Sequence, residues 1–257
     1  MLTKLTVDFD VSEGAGASIH WGSLLHGVLM RNLPEEIAKQ LHGQATRPFS
    51  QYVEPLDDKS LKWRIGIWDE SIARIITQTI KGLKNVVLSG NNVVLSVRGS
   101  NSESISKDDF ISNILTVNKI PGYYELRYKT PSTHKSAGIY VAFPNMELIY
   151  QNLSSRFFAY IHALNINNDE AVMQLAGHSR IIRHELKSQP YFMAGATILG
   201  YMGYIKVKIH GADIIARLGG LLLSLAEYMG IGIKTAMGMG GCQILAVPEN
   251  PDPKRKG

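Results

Sequence analysis

A chain of 257 residues, 45% hydrophobic and 19% charged, has the balance of a globular protein with room for one large core or two smaller ones. Its single cysteine, Cys242, excludes an internal disulfide and a cysteine-built zinc cluster, and no apolar run approaches the roughly 20 residues that span a bilayer. The formal charge of +5 lies wholly in the second half: residues 1–120 hold 13 basic against 13 acidic side chains, residues 121–257 hold 14 against 9. That asymmetry fits a polyanion partner such as nucleic acid, and fits an ordinary soluble surface as well. The N-terminus alternates and carries acid, unlike a signal peptide, so a reducing cytoplasm and no membrane partner are expected.

Leu2–Asp10 alternates as a strand, with Leu5, Val7 and Phe9 on one side. After a small-residue loop, Ser18–Arg31 has helical spacing with Trp21, Leu24, Leu25 and Val28 on one face; His26 lies roughly 150° from that face. Pro34-Glu35-Glu36 opens a second short helix with Ile37 and Leu41 inward, and His42-Gly43 closes it. A histidine at a helix C-terminus meets the partial negative charge of the last carbonyls, which favours its protonated form. Thr46–Val53 and Ser60–Trp68 read as strands joined by a turn at Pro55–Asp58, and Glu70–Ile80 as an amphipathic helix. Lys84–Leu88 and Val93–Arg98 pair across Gly90-Asn91-Asn92. The order is βαββαβ, that of a ferredoxin-like or RNA-recognition domain.

Asn101–Pro121 is polar and reads as a linker. A second cycle follows: strand Tyr123–Lys129, helix Asn145–Leu164, strands His178–Lys187 and Tyr201–His210 with a break at Gln189-Pro190 and Ala194–Ala196, helix Ala212–Met229, strand Gly240–Val247. The expected architecture is α+β: two tandem ferredoxin-like βαββαβ domains, 1–118 and 119–247, with a glycine-rich loop before the last strand. Residues 248–257 form a basic tail.

The loop Gly230-Ile-Gly-Ile-Lys-Thr-Ala-Met-Gly-Met-Gly-Gly241 holds five of the 24 glycines. Lys234 and Thr235 suit an anion. The loop is neither a Walker A nor a dinucleotide-binding motif, because it follows a helix and Ile233 precedes Lys234. Glycine turns also arise from turn geometry alone.

Two βαββαβ cycles ending in helix, Gly-x-Gly-x-Lys-Thr-x-Met-Gly-Met-Gly and strand resemble the CRISPR-associated endoribonucleases of the RAMP superfamily, which cut precursor CRISPR RNA within its repeats. Gly200-Tyr-Met-Gly203 and Leu41-His42 followed by Arg47-Pro-Phe-Ser50 support the likeness, which covers nearly the whole chain. The resemblance implies cleavage without metal or other cofactor. The 2′-hydroxyl attacks the neighbouring phosphate, giving a 2′,3′-cyclic phosphate and a 5′-hydroxyl. It also implies repeat RNA as partner, in precursor and mature form, and leaves open an effector complex and a homodimer.

That chemistry asks for a base, an acid and a cation. His42 is the first candidate, as in the family a histidine stands at this point. His26 is the second, on a helix where many relatives carry a tyrosine. Arg47 is the nearest cation. For RNA binding the candidates are Lys234, Thr235, Gly232, Gly238 and Gly240 in the loop, and Arg180, Arg183 and Lys187 on a basic strand. That strand reads equally as a solvated edge protected by charge. A non-catalytic RNA-binding subunit of the same superfamily is the rival reading, and a small-molecule enzyme of ferredoxin-like fold a remote third.

Overall fold

The computed structural model describes residues 1–44, 46–88, 93–118, 121–161, 169–193 and 195–247. The elements run β1 (Leu2–Val11), a single 3-10 turn (Ile19–Trp21), α1 (Gly22–Asn32), α2 (Glu35–Gly43), β2 (Phe49–Asp57), β3 (Ser60–Ile67), α3 (Glu70–Lys81), β4 (Asn85–Leu88), β5 (Val93–Ile105) and α4 (Lys107–Leu115). The second half continues with β6 (Tyr123–Ser132), β7 (His134–Ser136), β8 (Ile139–Val141), α5 (Met146–Ile161), α6 (Asp169–Gly177), β9 (Ser179–Met193), β10 (Ala196–Ile209), α7 (Asp213–Met229), a 3-10 turn (Thr235–Met237) and β11 (Cys242–Val247).

Two antiparallel sheets result, ordered β2-β3-β1-β5-β4 and β11-β6-β10-β9. In each, the first strand of its cycle sits between the third and the last, so both halves are ferredoxin-like and the α+β expectation holds. Two apolar cores back the sheets. Phe9, Trp63, Leu25 and Ile76 lie in one, and Leu126, Tyr150, Ile205 and Leu223 in the other. No described helix is long and apolar enough to cross a membrane.

Several local expectations need correction. The stretch expected as linker is ordered: β5 runs on to Ile105, and α4 follows. The Ser106 hydroxyl accepts from the Asp109 amide at 3.0 Å and donates to its carboxylate at 2.6 Å. This Ser-x-x-Asp cap is a helix-start signal hidden in a polar run. The turn expected at Pro55–Asp58 falls at Asp58-Lys59, where the Asp57 carboxylate accepts from the Lys59 amide and the Ser60 hydroxyl. Gln189-Pro190 does not break its strand. β9 and β10 form one hairpin of 15 and 14 residues, with Pro190 opposite Leu199. β9 is an edge strand, where a missing amide costs no ladder bond. Helix α6 and the β7–β8 hairpin had no counterpart in the sequence reading. Gly90-Asn91-Asn92 and the 248–257 tail lie outside the described residues.

The halves interlock through backbone contacts that only small residues permit. A Cβ on Gly66 of β3 would stand 2.1 Å from the Tyr228 carbonyl oxygen near the end of α7. That carbonyl accepts from the Ser50 hydroxyl at 2.7 Å. The last turn of α7 is thereby laid against the first sheet, and the loop after it is delivered to α1 and β2.

Candidate active site

The glycine loop is folded onto both halves. Its backbone bonds to β6 and the residues beyond: Gly240 donates to the Pro131 carbonyl and Ile233 to the Thr133 carbonyl, each at 2.9 Å. Its Ala236 is buried in the core of the first half. Gln51 of β2 fixes this junction. Its amide donates to the Gly22 carbonyl at 2.8 Å and the Ala236 carbonyl at 3.0 Å, and its own oxygen accepts from the Trp63 indole at 2.9 Å. A fully buried amide with three satisfied bonds ties α1, β2, β3 and the loop together. The sequence signal for Gln51 was slight, a polar residue between Phe49-Ser50 and Tyr52-Val53.

Around that junction the structure collects the three predicted cleavage residues. His26 of α1 stacks on Phe49, ring centroids 6.0 Å apart and planes 19° from parallel. Its Nδ1 is enclosed and without a hydrogen-bond partner. Burial pushes its pKa down to about 4. The Arg47 charge pushes the same way, the Ala236 carbonyl opposes, and His42 adds a further lowering. His26 is therefore a neutral imidazole at neutral pH, within electrostatic reach of both Arg47 and His42. His42 stands exposed in the last turn of α2. Arg47 is half-buried, and its Nε is enclosed without a partner.

Beside them lies a cavity of about 130 Å³ lined by Thr46, Arg47, Phe49, Arg156, Lys234, Thr235, Ala236 and Met237. Larger hollows of about 350 and 530 Å³ open elsewhere and are lined by none of His26, His42, Arg47 or the glycine loop. Lys234 is exposed and held in the left-handed region at φ +56°; Thr235 is buried.

The other predicted RNA contacts are placed differently. A Cβ would meet the Thr133 oxygen at 2.2 Å on Gly232, the Tyr191 hydroxyl at 2.2 Å on Gly238, and the Ile231 oxygen at 2.0 Å on Gly240. Protein fills the space these three glycines leave, so their role in the structure is packing. Arg180, Arg183 and Lys187 are exposed on β9 and do not line the cavity. Arg180 stands opposite Lys208 and Arg183 opposite Lys206, so four cations share one face of the hairpin.

Besides Gln51, two residues were missed by the sequence reading. His20 accepts at Nδ1 from the Phe192 amide at 3.2 Å and packs on the Phe192 and Tyr191 rings, holding the β9–β10 hairpin to the first half. Arg156 of α5 is buried and donates to three carbonyls around the loop. Its signal was an arginine between the inward-facing Leu153 and Phe157.

Tandem ferredoxin-like halves joined through a glycine loop are the fold of a solved RAMP protein, which superposes with a TM-score of 0.60 at 11% identity. A family model described as CRISPR-associated endoribonuclease Cas6 matches residues 126–242. A Cas6 endoribonuclease of Streptococcus thermophilus is 26% identical over 219 residues, 85% of this chain and 89% of that protein. One of Mycobacterium tuberculosis is 26% identical over 255 residues, 97% and 80% of the two chains. A Thermus thermophilus Cas6 solved as a product complex superposes with a TM-score of 0.76 at 16% identity, covering 95% of this chain and 100% of the other. Over most of its length the chain is thus similar to Cas6 endoribonucleases, and residues 126–242 match that family's model.

Proposed function

We propose that the chain cuts precursor CRISPR RNA within its repeats, with side chains alone supplying the catalysis. His26 is the general base. Its ring is neutral, so one ring nitrogen carries a free lone pair. That nitrogen takes the proton of the 2′-hydroxyl as the oxygen attacks phosphorus in line. The bond from phosphorus to the 5′-oxygen breaks, and His42, exposed at the end of α2, gives the leaving oxygen a proton. Arg47 meets the charge that builds on the non-bridging oxygens. One product ends in a 2′,3′-cyclic phosphate and the other begins with a 5′-hydroxyl, so no water is consumed.

The observation that carries this reading is one juxtaposition. An enclosed neutral histidine, an exposed second histidine and an arginine come from two helices and the approach to a strand and lie within electrostatic reach of one another, and the arginine lines a small cavity that the glycine loop also walls. The RNA lies across residues 119–247, held by Lys234 and the β9 cations, while residues 1–118 supply the cutting groups. The mature RNA passes to an effector complex, and a second copy of the chain is a further partner.

Incubating the purified protein with its cognate repeat in excess chelator, followed by end-group analysis, tests the scheme. His42→Ala is expected to lower the single-turnover rate about 10²- to 10⁴-fold with RNA affinity retained. Wild-type cleavage by that variant, a 3′-hydroxyl on the upstream product, or tight binding with no cleavage by the wild type would each refute it.

A further inference from the structure

Arg156 has no part in the scheme above, yet it is the charged group most deeply committed to the glycine loop. Its side chain is 8% exposed. Nη1 donates to the Met229 carbonyl at 2.6 Å and the Gly230 carbonyl at 3.1 Å, and Nη2 to the Gly232 carbonyl at 2.6 Å. These are the last carbonyls of α7 and the first of the loop, where a helix presents partial negative charge. Among the described residues no carboxylate pairs with Arg156, and carbonyl dipoles meet its charge. Its neighbour His134 is buried with an unpartnered Nε2, and burial together with the Arg156 charge keeps it neutral.

An unpaired buried cation is costly unless something recovers the cost. The cavity shows what does. Arg156, Arg47 and Lys234 all line it, two from the second half and one from the first, and no aspartate or glutamate does. The Arg47 Nε there is enclosed and has no partner within the protein. Loop shape and loop charge are thus set by one residue. With Gly230 and Gly232 clamped, Ile233 reaches the Thr133 carbonyl, and Lys234 is held left-handed with its carbonyl accepting from Met237 at 2.9 Å.

We infer that Arg156 is a positioning residue that shapes the glycine loop and completes, with Arg47 and Lys234, an anion seat shared by both halves, which receives a phosphodiester group of the RNA. The inference rests on the RNA-cleavage reading for its occupant, but the seat itself is testable without RNA. The planar fork of a guanidinium reaches three carbonyls at once; a lysine ammonium in its place cannot span them in the same plane.

The test uses the full chain and inorganic phosphate as probe. Thermal unfolding is followed against phosphate concentration, with sodium chloride at matched ionic strength as reference, for the wild type, Lys234→Ala, Arg47→Ala, Arg156→Lys and Arg156→Gln. The wild type should be stabilised by phosphate beyond chloride. Lys234→Ala, Arg47→Ala and Arg156→Gln should each weaken the apparent phosphate affinity about tenfold, the size of one charge-assisted interaction. Arg156→Lys should recover less than half of what Arg156→Gln loses. If Arg156→Gln does not fold, the exposed Lys234→Ala and the Arg47→Ala arms decide. Absence of a phosphate-specific effect in the wild type, or an equal effect in all variants, overturns the seat. In cleavage, Arg156→Lys should raise KM and lower kcat together, whereas Lys234→Ala should act on KM. Normal phosphate binding with no RNA cleavage at all would sink the cleavage reading and leave the seat standing.

Discussion

The junction of α1, β2 and the glycine loop differs from the outer hairpin β9–β10 in how it holds its charged groups. At the junction, His26, Arg47 and Arg156 are wholly or partly enclosed, arrive from distant stretches of chain, and are fixed by backbone contacts that tolerate no added atom. On β9, Arg180, Arg183 and Lys187 are exposed, come from one strand, and face solvent. Geometry is over-determined in the first region and loose in the second. The first should respond to substitution in stability and rate together, and the second only in RNA affinity.

The hardest way to break the junction is to add atoms where two backbones touch. Gly238 has φ +103°, and a Cβ there would stand 2.2 Å from the Tyr191 hydroxyl and 2.9 Å from the Gly22 Cα. A β-branched side chain adds overpacking to a backbone conformation it rarely adopts. Gly238→Val is expected to cost about 3 to 5 kcal/mol, read from the urea midpoint at constant m. A loss under about 1 kcal/mol would mean the two backbones can separate freely, and the junction would not be rigid.

The charged states within the junction are the next handle. His26 and His134 both have pKa values pushed down to about 4 in the folded chain, from an ordinary value near 6.5. A histidine whose folded value is depressed contributes stability above the unfolded value and loses it as pH falls toward the folded one. Lowering the pH from 7.5 to 5 should therefore remove about 2 kcal/mol for each, with the slope flattening below pH 4. Asparagine at position 134 should abolish its share of that slope. Urea titrations across this range provide the measurement. A stability flat from pH 7 to 5 would contradict enclosure of both rings, and with it the neutral state on which the base assignment depends.

The same contrast explains what was legible in the sequence. Alternation in β1 and helical spacing in α3 gave the elements, and two βαββαβ cycles gave both sheets, because burial on one face writes a period into the chain. His26, His42 and Arg47 were legible because each lies off an apolar face or at an element end within 22 residues. Gln51, Arg156 and His20 were not. Each works through contacts with segments 29 to 185 positions away, and a single polar residue in an apolar run does not name its partner. The loop glycines were visible as glycines, but whether a ligand or another strand fills the space beside them is decided by the fold. The break read at Pro190 failed because proline is forbidden only in central strands, and strand order is not written locally.

The smallest expected effect sharpens the comparison from the exposed side. Arg180 and Arg183 face Lys208 and Lys206 across the hairpin. Four like charges on one face repel weakly in water, so removing two should leave stability within about 0.5 kcal/mol of the wild type. Their expected role is to neutralise phosphates, and each such contact releases counterions when RNA binds. The double variant Arg180→Ala, Arg183→Ala should bind the repeat several-fold more weakly at low salt, and its plot of log affinity against log salt should be shallower by about 1.4 to 1.8. Its single-turnover rate at saturating enzyme should match the wild type, because neither arginine lines the cavity beside His26. An unchanged salt slope would return β9 to a solvated edge that charge protects from pairing. A slowed saturating rate would instead mean that the hairpin positions the scissile bond. The route would be Tyr191, whose hydroxyl donates to the Met237 carbonyl at 3.0 Å, and His20 in the turn before α1, so the two regions would be coupled and not independent.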